Sequence, residues 1–113
     1  MALKRVRMQN AAAATGNGET VAVAGKAGVL LEVSGTYAAV ITVEGSVQED
    51  WFAVDSYAMN GGNRSTTITN TEGLYWVPAP GLQSVRARIS AYTSGSVTVW
   101  GGATDVPYGI VPS

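Results

Sequence analysis

The chain of 113 residues has no cysteine and no histidine. Without cysteine there is no disulfide framework and no thiolate metal site. Without histidine, the commonest general base and the commonest metal ligand are both missing. Charge is scarce as well: 13% of the residues are charged, against about 25% in an average soluble domain. A small surface with so little charge points to contact with partners as well as with water. No long apolar run exists; Ala11 to Ala14 is far too short for a signal-peptide core or a membrane span. The expectation is a product made in the cytoplasm, with no membrane among its partners.

The length fits one domain with one core. The net charge of −1 is unevenly placed, because Lys4, Arg5 and Arg7 supply three of the seven basic residues. Residues 1–18 show no strand alternation. They read as an N-terminal arm, in which propensity alone would allow a short helix around Gln9 to Ala14. From Glu19 onward the apolar period is two. Val21 and Val23 share a face, as do Val29, Leu31 and Val33, then Ala39, Ile41 and Val43. Trp51 to Val54, Ser65 to Asn70, Leu74 to Val77, Ser84 to Tyr92 and Ser96 to Trp100 continue the series. Turn signals such as "GKAG", "SGT", "TEG", "PAPG" and "TSG" separate most of them, and "YAMNGGNRS" reads as a loop. The clearest strand sends Val85, Ala87, Ile89 and Ala91 one way and Arg86, Arg88, Ser90 and Tyr92 the other. About eight strands at roughly ten-residue spacing predict an all-β, antiparallel sandwich, with a jelly roll as one form of it. The expected organisation is an arm over 1–18, a sandwich over 19–102 and an extended tail over 103–113.

Catalytic chemistry finds little support in these residues. Serines and threonines are plentiful, but the only lysine beyond the first seven residues is Lys26, and nothing marks a nucleophile–base pair. Glu49, Asp50 and Asp55 are the sole acidic cluster. Asp50 and Asp55 stand five apart, so a continuous strand would point them to opposite faces. The stretch "GSVQEDWFAV" is therefore expected to be a strand connection with solvated acids, not a metal or sugar-cleaving site. "GNGETV" leads into a strand and offers no helix N-terminus to a phosphate. Arg86 and Arg88 are expected to pair across the sheet with acids or threonines. The basic arm is the better nucleic-acid candidate, and nucleic acid is not an expected partner.

Aromatic residues are the remaining signal. The neighbours Trp51–Phe52 and Tyr75–Trp76 must each send one ring to either face of a sheet, one to the core and the other outside or under a loop. Exposed rings mark interfaces or glycan platforms.

The segments "YAAVITVEGSV" with the following Trp51, and "TEGLYWVPAPGLQSVRARISAYTSGSVTVWGG", resemble small virion proteins of tailed bacteriophages. The resemblance covers over half the chain, and "VRARISAYTSGSVTV" is its most specific part. In that pattern the turn before the tryptophan commonly carries Asp-Gly, whereas this chain reads "VQEDW". The resemblance implies a phage β-sandwich used as a capsid decoration, head-fibre or tail-associated module, and supplies no catalytic residue. The expectation is a non-enzymatic decoration protein on the outer capsid of the virion. It would use no cofactor or metal and would bind the major capsid protein and further copies of itself. A trimer suits the three-fold axes of an icosahedral shell. The alternative is a glycan- or receptor-binding module. The candidate interface residues are Lys4, Arg5, Arg7, Trp51, Phe52, Tyr75, Trp76 and Tyr108.

Overall fold

The computed structural model describes residues 5–59 and 64–104. They form two antiparallel sheets packed face to face. The first runs, edge to edge, β1 (Arg5–Ala12), β11 (Val97–Thr104), β3 (Gly28–Ser34), β9 (Gly73–Pro78), β6 (Ser56–Ala58) and β7 (Arg64–Ser65). The second runs β2 (Thr20–Ala22), β10 (Ser84–Gly95), β4 (Tyr37–Ser46) and β5 (Trp51–Ala53), and β8 (Thr67–Thr69) also pairs with β4. The expected all-β sandwich is therefore present, with eleven described strands where the alternation marked eight.

The core follows from the pleat. Side chains alternate between the faces of a strand, and residues directly opposite on neighbouring strands share a face. Val29, Leu31, Val33, Val77, Val97 and Val99 line the inner face of the first sheet; Ile41, Val43, Val85, Ala87 and Ile89 line that of the second. Ile89, Ile41 and Ile68 lie in one register across β10, β4 and β8, and all three are buried. These are largely β-branched residues, which suit a pleated, half-buried surface.

Irregularities account for the differences from the sequence expectation. Residues 5–12, expected to belong to an arm without strand pattern, form β1, which pairs with β11 from Arg5↔Gly102 to Ala12↔Val97. The register shifts between Arg7 and Gln9 and again before Ala12. Such a bulge turns consecutive residues to the same side, and both Met8 and Gln9 are buried. That breaks the period of two and hides the strand. Gln9 keeps its amide satisfied: Nε2 donates to the Ala87 carbonyl at 2.8 Å and to the Gly16 carbonyl at 3.2 Å. Gly18 then turns the chain towards β2 with φ +72°, and a Cβ there would collide with the Met8 carbonyl oxygen.

A further register shift lies between Ile89 and Ala91 of β10. It leaves Ala91 exposed, where uninterrupted alternation would have buried it with Val85, Ala87 and Ile89. The segment read as the loop "YAMNGGNRS" holds the short strands β6 and β7 on either side of its tip. The tip, 60–63, and the expected tail beyond Thr104 lie outside the described residues. The sandwich itself takes in β1 and extends through β11 to Thr104.

Candidate functional site

The outer face of the second sheet carries the densest polar arrangement. Glu44 sits near the end of β4 with Arg86 directly opposite on β10 and Ala53 of β5 on its other side. Arg86 Nε donates to Glu44 Oε1 at 2.8 Å, and Arg88 Nε donates to Glu44 Oε2 at 3.1 Å. Arg88, whose own cross-strand partner is Thr42, reaches diagonally to do so. The carboxylate is thus held between two guanidinium groups, and its side chain is only 9% exposed, with Arg86 at 15% and Arg88 at 35%. Arg86 also lies over the Trp51 ring, 4.3 Å from its centroid, a cation–π contact. The expected pairing of both arginines with an acid or a threonine is present. Their faces are outward as expected, although Arg86 is far less solvated than an outward position implies.

Trp51 and Phe52 flank this cluster, and here the structure corrects the expectation that one ring anchors the core. Trp51 pairs with Ser46 on the outer face, is half-buried, and spends its ring on Arg86. Phe52 pairs with Gly45, on the inward parity, yet is 67% exposed. Leu82 and Val54 pack close to its partner Gly45, so the space beside Gly45 is already filled and Phe52 stays in solvent. Val47 in the same connection is also exposed. The acids Glu49 and Asp50 stand in the exposed turn between β4 and β5. Among the described residues, no group of three histidine, cysteine, aspartate or glutamate side chains gathers to hold a metal ion.

The other candidates lie on the opposite sheet and are not brought together with these. Arg5 Nη1 pairs with Glu32 Oε1 at 3.1 Å, with both side chains about half exposed. Arg7 lies over Trp100, 4.6 Å from the ring centroid, and its Nη1 donates to Asn10 Oδ1. The basic residues of the expected arm are therefore engaged on a strand face. Trp76 shares an outward row with Leu30 and Tyr57 and is buried outside the main core cluster. Tyr75, on the inward parity, packs against that core. This pair does divide between the two faces as expected. Lys4 and Tyr108 lie outside the described residues.

One end of the sandwich holds a second polar group. The Tyr37 hydroxyl donates to the Thr71 carbonyl at 2.7 Å and accepts from the Thr71 N–H at 3.2 Å. Burial pushes its pKa up, against the lowering effect of the Thr71 hydrogen bond. Tyr75 Oη lies 3.0 Å from Thr71 Oγ1, and Glu72 Oε2 accepts from the Gly35 N–H at 2.7 Å. A shallow cleft of about 230 Å³ opens beside them, lined by Ala58, Met59, Glu72, Gly73, Leu74 and Tyr75. Its only carboxylate is already committed to Gly35.

The sequence singled out Arg86 and Arg88 but not the acid they share. A signal was present: an outward glutamate in "ITVEG" can meet the two outward arginines of "VRARI" if the two strands pair. Register decides that, and register is not written in either segment alone.

No curated protein matches the chain. The solved crystal structure of the SPBc2 prophage-derived protein YomS is similar over 88% of this chain and 90% of its own, with a TM-score of 0.80 and 19% identity. That of the PBSX exported protein XepA is similar over 90% of this chain, with a TM-score of 0.83 and 19% identity. This chain corresponds to 37% of the XepA chain, so it spans about a third of that protein. At this identity both likenesses concern the fold. The sequence profile of the XepA family matches residues 3–103, which takes in both sheets and every described strand but the last residue of β11. The chain belongs to the XepA family.

Proposed function

We propose that this chain is a phage-associated protein whose work is binding, with the sandwich as a rigid scaffold for surface contacts. The observation that carries the reading is the family match along nearly the entire chain, taken with the prophage origin stated in the name of one solved relative, YomS. The finer reading is a decoration module on the outer capsid, with the major capsid protein and further copies of the chain as partners. Supporting it are the scarcity of charge and the exposed Val47, Phe52 and Leu74. These offer apolar contact at one sheet edge and on the opposite face. Several weak contacts of this kind gain strength when subunits close into a ring and bind together; a trimer is the assembly expected on a three-fold axis.

A second reading, a glycan- or receptor-binding module, is favoured by one observation: the relative XepA is named as an exported protein. Gradient-purified phage particles, probed with an antibody against the chain, separate the two. Decoration requires a fixed ratio to the major capsid protein. Absence from particles, with retention on cell-wall polysaccharide and a change in tryptophan fluorescence, would replace it with the second reading. Light scattering of the purified protein at micromolar concentration measures self-association. A monomer both in solution and on the particle would exclude the ring.

A further inference from the structure

We propose that Arg86 and Arg88, fixed over Glu44, form a binding site for an oxyanion: a carboxylate or phosphate group carried by a partner molecule. The inference does not depend on whether the chain rides on a phage particle.

The charge count is the first ground. Two guanidinium groups share one carboxylate, so the cluster carries a net +1 on a partly desolvated sheet face. No other aspartate or glutamate lies within ion-pair distance of either arginine among the described residues. Their nearest neighbours in register are Thr20, Thr42 and Thr67, with Ser84 and Ser90 two positions away on β10. All five are neutral hydroxyl residues, and the one carboxylate in ion-pair contact with the arginines, Glu44, is outnumbered by the two guanidinium groups.

The second ground is which nitrogens are used. Both arginines meet Glu44 through Nε. Among the described residues, neither makes a hydrogen bond through its terminal nitrogens. A guanidinium presents its donors in a planar fork that matches the oxygens of a carboxylate or phosphate. Here two forks, two residues apart on one strand, are anchored at their inner ends and open at their outer ends.

The third ground is preorganisation. Arg86 is clamped between Glu44 and the Trp51 ring, and the Glu44 carboxylate holds Arg88 as well. Ordering a long, flexible side chain is a large part of what binding costs, and here the fold has already done it. The first sheet supplies the contrast. Arg5 pairs one to one with an exposed Glu32, and Arg7 spends a terminal nitrogen on Asn10. An arginine–tryptophan stack exists there without the shared carboxylate or the open forks.

The full-length chain, ¹⁵N-labelled, is titrated at constant ionic strength with inorganic phosphate in one arm and poly-L-glutamate in the other. The Arg86 and Arg88 Nε–H and the Trp51 indole resonances are followed. Saturable shifts at these three groups are expected with at least one probe. Response to phosphate alone assigns a phosphate group, response to polyglutamate alone a carboxylate, and response to both the shared chemistry. Arg88→Gln should weaken binding about tenfold, the loss expected for one hydrogen-bonded charge, while Arg7→Gln leaves it unchanged. Arg88→Lys, which keeps the charge without the fork, should fall between and serves in place of Arg88→Gln if that variant does not fold. The proposal is overturned if neither anion gives saturable shifts, or if Arg7→Gln weakens binding as much as Arg88→Gln, which would mean diffuse charge attraction and no site.

Discussion

Replacing Glu44 with glutamine keeps the shape of the side chain and removes its charge. In the native sheet its two oxygens each accept from a different Nε–H. Glutamine can accept from one arginine, but its amide NH₂ then faces the other N–H, donor against donor. A hydrogen bond to a charged group contributes about 1.5–3 kcal/mol net, so this mismatch alone costs that order. The second loss is electrostatic. A charge pair at such a distance is worth about 4 kcal/mol at an effective dielectric near 20, but Arg88 is about one-third exposed and solvent takes much of its share. Together the cost should be about 3 kcal/mol, at the low end of the range for breaking a buried pair from one side. Arg88→Gln has the opposite logic. It removes the surplus charge and leaves Arg86 and Glu44 paired one to one, so it should cost less than about 1 kcal/mol. Urea unfolding, read by both tryptophan fluorescence and circular dichroism, measures the two. A domain of this size should lose about 10 °C in Tm with Glu44→Gln. Half-molar salt should narrow the gap between the variants, because the arginine repulsion is screened. Equal costs for the two substitutions would show that the carboxylate is not the hub of the cluster, and the reasoning would fail.

Ile89→Ala, at the centre of the Ile41–Ile89–Ile68 register, should cost about 2–5 kcal/mol in the same denaturation assay; a loss below 1 kcal/mol would mean that this layer is not packed. Gly18→Ala must both hold a left-handed φ and displace the Met8 carbonyl; a loss of about 2 kcal/mol or more is expected from thermal melts, and wild-type stability would contradict the bulge geometry. Tyr37 has its pKa raised mainly by burial, so the unfolded chain ionises first as pH rises. Its stabilising contribution is complete below the ordinary tyrosine value of about 10 and is lost as pH climbs towards the folded value. Tyr37→Phe should flatten that alkaline decline while costing about 1–2 kcal/mol at neutral pH through the unpaired Thr71 groups; an unchanged alkaline limb would remove Tyr37 as its cause.

Much of the sandwich was legible because its central strands obey one rule without interruption. Val29, Leu31 and Val33, or Ile41 and Val43, alternate with polar or half-buried neighbours, and period two has a single structural meaning there. What escaped were places where two residues break the alternation together. Met8 and Gln9 both face inward, so β1 looked like an arm. Ala91 follows a register shift and turns out. β6 and β7 are too short to show a period at all. The candidate site was half legible. Arg86 and Arg88 on one outward face announced an acidic partner, but only the pairing of β4 with β10 identifies it as Glu44. Phe52 was misplaced for a packing reason, since Leu82 and Val54 already fill the space beside its partner Gly45.

The pairing of β1 with β11 sets a timetable. The first described strand has no neighbour in its own sheet until the last one exists, and Met8, buried against Gly101, waits with it. During synthesis the β3–β9 ladder and the β4–β10 ladder can form while β11 is still unmade, leaving one flank of β3 open and Met8 without the strand that packs against it at Gly101. Closure is then a late, long-range event of the kind that slows folding and leaves an unpaired strand edge exposed meanwhile. A ribosome-stalled chain ending before Val97 should therefore be protease-sensitive at its N-terminal strand, and become resistant there only once β11 is free to dock.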